Sequence, residues 1–207
     1  MATKIIENNK LYLKGVVTTP FEYSHEVCGE KFYIVYISIE RTSGIADVIP
    51  VMVSERMVDV NSNFIGEWIS VEGNYRSYNC LLENKNHLIL TAFAREFELV
   101  EDGVYEENNS ISIEGFLCKR PVYRITPKGR EVADLLIAVN RSYGRTDYIP
   151  CICWSRNARF ASGFEVGDKI KICGRVQSRE YTKYFDDGKE PEIRTAYEVS
   201  CTMIERV

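Results

Sequence analysis

Four separate segments of the chain recur about 100 residues further on. Lys10-Leu11-Tyr12-Leu13-Lys14-Gly15 is answered by Ser110-Ile111-Ser112-Ile113-Glu114-Gly115, and Ile37-Ser38-Ile39-Glu40-Arg41 by Ile137-Ala138-Val139-Asn140-Arg141. Asp47-Val48-Ile49-Pro50-Val51 is answered by Asp147-Tyr148-Ile149-Pro150-Cys151, so these three share an offset of 100. Gly66-Glu67-Trp68-Ile69-Ser70-Val71-Glu72-Gly73 then matches Gly167-Asp168-Lys169-Ile170-Lys171-Ile172-Cys173-Gly174 at 101. One offset kept across four segments requires two copies of a single unit, and it restricts the fold to whatever such a unit can form twice. The copies are residues 1–104 and 105–207, joined by the acidic, polar run from Glu101-Asp102-Gly103 to Glu106-Glu107-Asn108-Asn109.

Within each copy the apolar period is two. From Glu131 to Arg141, Ala133, Leu135, Ile137 and Val139 fall on one face, and Asp134, Leu136, Ala138 and Asn140 on the other. From Ile170 to Ser178 the inner set is Ile170, Ile172, Gly174 and Val176, and the outer set is Lys171, Cys173, Arg175 and Gln177. Alternation of this kind describes strands buried on one side. Pro127-Lys128-Gly129, Tyr143-Gly144 and Gly167-Asp168 are turn signals. Ser155–Phe164 reads as a short helix. Five strands with a short helix after the third is the layout of an OB-type barrel, so the expected architecture is all-β, two tandem five-stranded OB barrels with one short helix each.

The net charge of −4 conceals an imbalance: residues 1–104 carry 9 Lys and Arg against 15 Asp and Glu, residues 105–207 carry 17 against 15. The second copy is the one suited to a polyanion. Seven cysteines without a CxxC pair, and only His25 and His87, point to reduced thiols in a cytoplasmic protein with no metal site. Cys151 and Cys153 share a strand face and are expected in the core. No apolar stretch approaches the roughly 20 residues of a membrane span, and the N-terminal residues lack the apolar segment of a secretory signal. With no P-loop glycines and no Ser/His/Asp or Cys/His arrangement, the chain is not expected to be an enzyme or to hold a cofactor.

The second copy resembles the bacterial single-stranded-DNA-binding protein family. The resemblance is carried by Gly115-Phe116-Leu117 with Pro121-Val122-Tyr123-Arg124, and by Thr126-Pro127-Lys128-Gly129 ahead of Val132–Val139. It continues through Asn140-Arg141-Ser142-Tyr143, Thr146 to Cys151, Trp154, Val166-Gly167-Asp168-Lys169-Ile170, Gly174 to Tyr181 and Thr195–Ser200. It implies base-stacking rings at Tyr143, Tyr148, Trp154 and Tyr181. Alternation selects largely the same surface: with Ile149, Cys151 and Cys153 inward, Tyr148, Pro150, Ile152 and Trp154 face out, as do Arg175, Gln177, Arg179 and Tyr181. A single strand is held by rings that stack on bases and by cations that follow phosphates. The expected cations are Arg141, Arg145, Arg156, Arg175 and Arg179, joined by Arg124, Lys119 and Lys183, since a guanidinium both stacks and forks onto phosphate.

The first copy departs from this pattern. Tyr143, Tyr148 and Trp154 become Ser43, Val48 and Ser54, Tyr181 falls near Asn79 or Cys80, and Arg145 becomes Ile45. The expectation is a division of labour, with the second domain binding the strand and the first supplying scaffold and oligomer contacts. Tyr36, Tyr75 and Tyr78 are the outward residues of the first copy that offer a substitute. The family's assemblies present four OB domains, so the resemblance implies a homodimer. Two further departures are the tight Arg141–Arg145 connection in place of a long hairpin, and a sequence ending at Ile204-Glu205-Arg206-Val207 without the family's glycine-rich tail and acidic tip, which puts in doubt the recruitment of repair enzymes through that tip. An accessory or assembly protein working through protein contacts, and an RNA binder, stay open as alternatives.

Overall fold

A computed structural model of the protein describes residues 7–82, 85–101, 108–184 and 190–207. The first half contributes β1 (Asn9–Val17), β2 (Glu22–Val27), β3 (Glu30–Glu40), β4 (Ala46–Ser54), β5 (Trp68–Leu82) and β6 (Lys85–Leu99). The second contributes β7 (Asn109–Leu117), β8 (Val122–Ile125), β9 (Glu131–Asn140), β10 (Thr146–Trp154), helix α1 (Ser155–Ala161), β11 (Lys169–Lys183) and β12 (Glu192–Arg206). In each half the first strand pairs with the third and fifth, and the fourth closes the barrel by parallel pairing with the sixth. This is the OB barrel, with one addition to the five expected strands: short β2 and β8 fold back on β3 and β9 as hairpins.

The helix is also unequal. Among the described residues it forms in the second half only. In the first half Glu55–Asn61 is irregular, because its short polar side chains satisfy the backbone locally: Ser54 Oγ accepts the Arg56 N–H, and Asp59 Oδ1 accepts the Asn61 N–H. Such bonds compete with a helical ladder.

The inner faces fill with the residues that alternation selects. Ile37, Ile49, Ile69 and Val71, and their counterparts Ile137, Ile149, Ile170 and Ile172, are fully buried, and the buried side chains of both barrels form one continuous cluster. Cys151 and Cys153 lie in the second core. Gly15 and Gly115 sit where the first strand crosses the third; a Cβ at Gly15 would come within 2.5 Å of the Ser38 carbonyl oxygen, and one at Gly115 would meet the Ala138 oxygen in the same way.

Three orientations differ from the alternation. Tyr75 is wholly buried, because it continues the inner row of Ile69 and Val71. Ile152 is 6% exposed: it is paired on both edges, and the indole of Trp154, two residues on and on the same face, reaches back to Ser200 beside it. Gln177 is 5% exposed and donates to Glu198.

The two barrels become one twelve-stranded sheet through antiparallel β1–β7 pairing. Leu11 pairs with Ile111, its own repeat partner, while Asn9 pairs with Ile113 and Leu13 with Asn109. A local two-fold axis therefore passes through the Leu11–Ile111 pair, and the chain makes with itself the self-complementary contact of a symmetric dimer. Duplicated side chains lock it. Asn9 donates to the Tyr75 carbonyl (2.7 Å) and accepts the Tyr75 N–H (2.9 Å), as Asn109 does with Val176 at 2.7 and 2.9 Å.

Candidate nucleic-acid interface

Beyond the Asn locks, β5 and β11 run past their own barrels and lie against β10 and β4 of the opposite half. Each meeting is organised by a buried aspartate. Asp147, 1% exposed, accepts the Ser77 N–H (2.6 Å) and pairs with Arg141 (2.7 Å), whose Nη2 also donates to the Ser77 carbonyl (2.9 Å). The Ser77 hydroxyl accepts the Tyr148 N–H (2.7 Å). At the mirror site Asp47 accepts the Ser178 N–H (2.7 Å) and the Arg41 Nε–H (2.7 Å), and Ser178 Oγ accepts the Val48 N–H (3.0 Å). Burial raises the pKa of Asp147, opposed by the Ser77 N–H and then by the Arg141 charge.

The proposed site residues fall into groups on this frame. Tyr148 is 43% exposed on β10 and shares a groove with Arg141, Arg145 and, from the first domain, Tyr78. The neighbour that completes the Tyr148 site thus comes from the other half. Arg145 is exposed and makes no ion pair among the described residues. Tyr143 falls in the 3-10 turn Ser142–Gly144, and its side chain lies outside the described residues. Tyr181, 39% exposed on the outer arm of β11, has the Arg179 guanidinium 6.0 Å from its ring centre, and Lys183 ends the same strand. Trp154 is half-buried, its indole N–H donating to Ser200 Oγ (3.2 Å). Arg124 lies two strands away, opposite Val132, which is itself opposite Trp154, and pairs with Asp134 at 2.8 Å.

Other members stand apart. Arg175 pairs with buried Asp47 at 3.2 Å, so it and Arg141 serve the junction at the same time as they line the surface. Arg156, in the first turn of α1, flanks a groove beside Phe160 and Met203 on a different side of the barrel. Lys119 is exposed in the β7–β8 connection.

Sequence reasoning missed a second set. A cleft of about 470 Å³ at the junction is lined by Arg76 and Arg95 of the first domain with Arg141 and Arg145 of the second, against Asp147 as the acid. Burial, and next the charge of Arg141, lower the Arg76 pKa to about 10, which still leaves the cation intact at neutral pH. Arg141 Nε is buried without an acceptor among the described residues. The available signal was local: Arg76 and Arg95 belong to a half that is acidic in total, and only their placement beside Arg141 makes them basic surface.

Among the described residues no group of His, Cys, Asp and Glu is arranged to hold a metal, and no helix is long and apolar enough to cross a membrane.

The model of the single-strand binding protein family matches residues 108–206. Single-stranded DNA-binding protein 2 of Listeria innocua is 35% identical over 88 residues, covering 39% of this chain and 54% of that protein. The alignment therefore spans about half the length of that relative. Single-stranded DNA-binding protein B of Bacillus subtilis is 32% identical over 80 residues, 35% of this chain and 71% of that protein. Among solved structures, the wild-type single-stranded DNA binding protein from Thermus aquaticus superposes with a TM-score of 0.72 at 22% identity, over 96% of this chain and 92% of that one. At that identity the likeness concerns the fold, and it extends over both barrels. With a second barrel that matches from its first strand to its last, and a first barrel that repeats it, the chain belongs to the single-strand binding protein family.

Proposed function

We propose that the protein binds single-stranded DNA without strong sequence preference in the cytoplasm, covering it during replication, recombination or repair, and that it does so as a binding protein rather than an enzyme. The observation that carries this reading is the groove holding Tyr148, Tyr78, Arg141 and Arg145. An exposed ring stands beside arginines whose charge exceeds the one aspartate among them, and the groove is open to solvent. Rings of this kind supply stacking that every base accepts, and the arginines supply phosphate contact, so neither selects a sequence. Trp154, Tyr181, Arg179, Lys183 and Arg124 extend the second domain's share, and the likeness to single-stranded DNA-binding proteins favours DNA over RNA. In this reading Arg156 and Lys119 meet flanking stretches of the strand, and two chains associate to present four barrels.

Titration with oligo-dT, followed by quenching of intrinsic fluorescence at two salt concentrations, tests it. Tight binding that quenches Trp154 and weakens as salt rises is expected, since each phosphate contact releases counterions. Absence of binding at low salt overturns the reading, and tighter binding of oligo-U than of oligo-dT assigns the surface to RNA.

A further inference from the structure

The first domain has lost the ring at position 54, yet its face is not bare. Across the β9–β10 pair Trp154 stands opposite Val132, and β12 places Ser200 beside Ile152. Across β3–β4 the order is inverted: Ser54 stands opposite Phe32, and β6 places Phe93 beside Met52. Large and small side chains have exchanged places around one patch of barrel surface. The two phenylalanines lie with ring centres 5.7 Å apart, and His25 of β2 stacks on Phe32 at 5.2 Å with only 13° between the planes. The Arg76 guanidinium lies 3.7 Å from the centre of the Phe93 ring. These residues are half-buried or exposed and line a groove of about 670 Å³ that also takes in Tyr78, Arg141 and Arg145. The groove therefore runs into the one that holds Tyr148.

The charges agree with the rings. Arg76 makes no ion pair at contact distance among the described residues, whereas its counterpart Gln177 donates to Glu198. Of the acids near the first domain's rings, Glu30 is occupied by the Ser54 hydroxyl and by Arg56 at 3.6 Å. Asp147 is occupied by Arg141 and the Ser77 N–H. A guanidinium stacked on a ring keeps its outer plane for a base and its edge for a phosphate.

We propose that His25, Phe32 and Phe93 with Arg76 form a second stacking platform for a single strand, which passes to it from Tyr148 over the junction arginines. This rests on the single-strand reading above and changes the part assigned to the first domain, from scaffold to binding surface.

The other half of the molecule supplies the test. Phe32→Val, Arg76→Gln and Phe93→Ser each introduce the residue that the second barrel carries at the same place, so the scaffold accepts them, and a melting curve verifies the fold. The full chain with all three changes should lose about tenfold or more in affinity for a long oligo-dT, and its occluded length should shrink by part of a barrel's share of about 4–16 nucleotides, while saturating oligonucleotide still quenches Trp154. Arg76→Gln alone should lower the slope of log affinity against log salt by about one. A folded triple variant with unchanged affinity and occluded length overturns the platform and leaves the single-strand reading standing. A wild-type chain that binds no oligo-dT at low salt removes both.

Discussion

The two junction sites are built alike and surrounded differently. At each, a buried aspartate joins an arginine of its own barrel to a serine backbone of the other: Asp147 with Arg141 and Ser77, Asp47 with Arg41 and Ser178. What surrounds them has diverged. Arg76, Arg95 and Arg145 crowd the first site, while the second has Arg175 with Gln177 and Glu198. At these sites the Asp, Arg and Ser that hold the halves together are kept in both copies, while the surrounding charges differ. A duplicated chain can change one copy's surface freely, but each junction contact needs its partner from the other copy, so both must stay.

The comparison is broken most readily at the aspartates. Removing one partner leaves a guanidinium that is only 21–24% exposed without its countercharge, and loss of such a pair costs about 3 kcal/mol. Asp47→Ala and Asp147→Ala should each lower the melting temperature by roughly 6–12 °C. Thermal melts of the two variants side by side check this. Similar losses mean the sites bear the junction equally, and a loss at one alone means the symmetry is only geometric.

That pairing explains what the sequence made legible and what it did not. The barrel cores followed from alternation, since Ile37 and Ile137, or Ile69 and Ile170, need only a strand to be buried. Tyr148 could be placed on the surface because its neighbours Ile149 and Asp147 face the other way. Arg141 was read only as a phosphate contact, although Arg41 and Asp47 recur with it and Asp147; the partner serine comes from a strand with no local link to either. Tyr75 was read as outward where its register with Val71 places it inward. The rings of Phe32 and Phe93 have no aromatic counterpart at the equivalent positions of the second copy, because the aromatic volume has moved to adjacent strands. Such an exchange keeps the patch while changing every residue in it, which pairwise matching of copies cannot detect.

The next comparison is between Tyr148 and Val48, equivalent residues bonded through their N–H groups to Ser77 and Ser178. Both are about two-fifths exposed, so neither is needed to fill a core. Tyr148→Ala should weaken oligo-dT binding by about tenfold, within the range of one lost base stack, and leave the melting temperature nearly unchanged. Val48→Ala should change affinity less than about twofold. Equal effects at both positions would mean that the strand does not distinguish the two junction grooves.

The smallest effect should come from Arg124, whose place opposite the third strand is taken by His25 in the first barrel. The Arg124–Asp134 pair is exposed on both sides, 47% and 39%, and such pairs contribute under about 1 kcal/mol. Arg124→Ala should therefore leave thermal stability almost untouched. If Arg124 meets a phosphate, the variant should bind all oligonucleotides a few-fold less tightly, with a salt slope lower by about one. If Asp134 already satisfies it, the slope should stay as in the wild type. Repeating the titration with His25→Ala separates the two barrels: a ring that acts by stacking should alter affinity without altering the slope, because a stacking contact with a base releases no counterion.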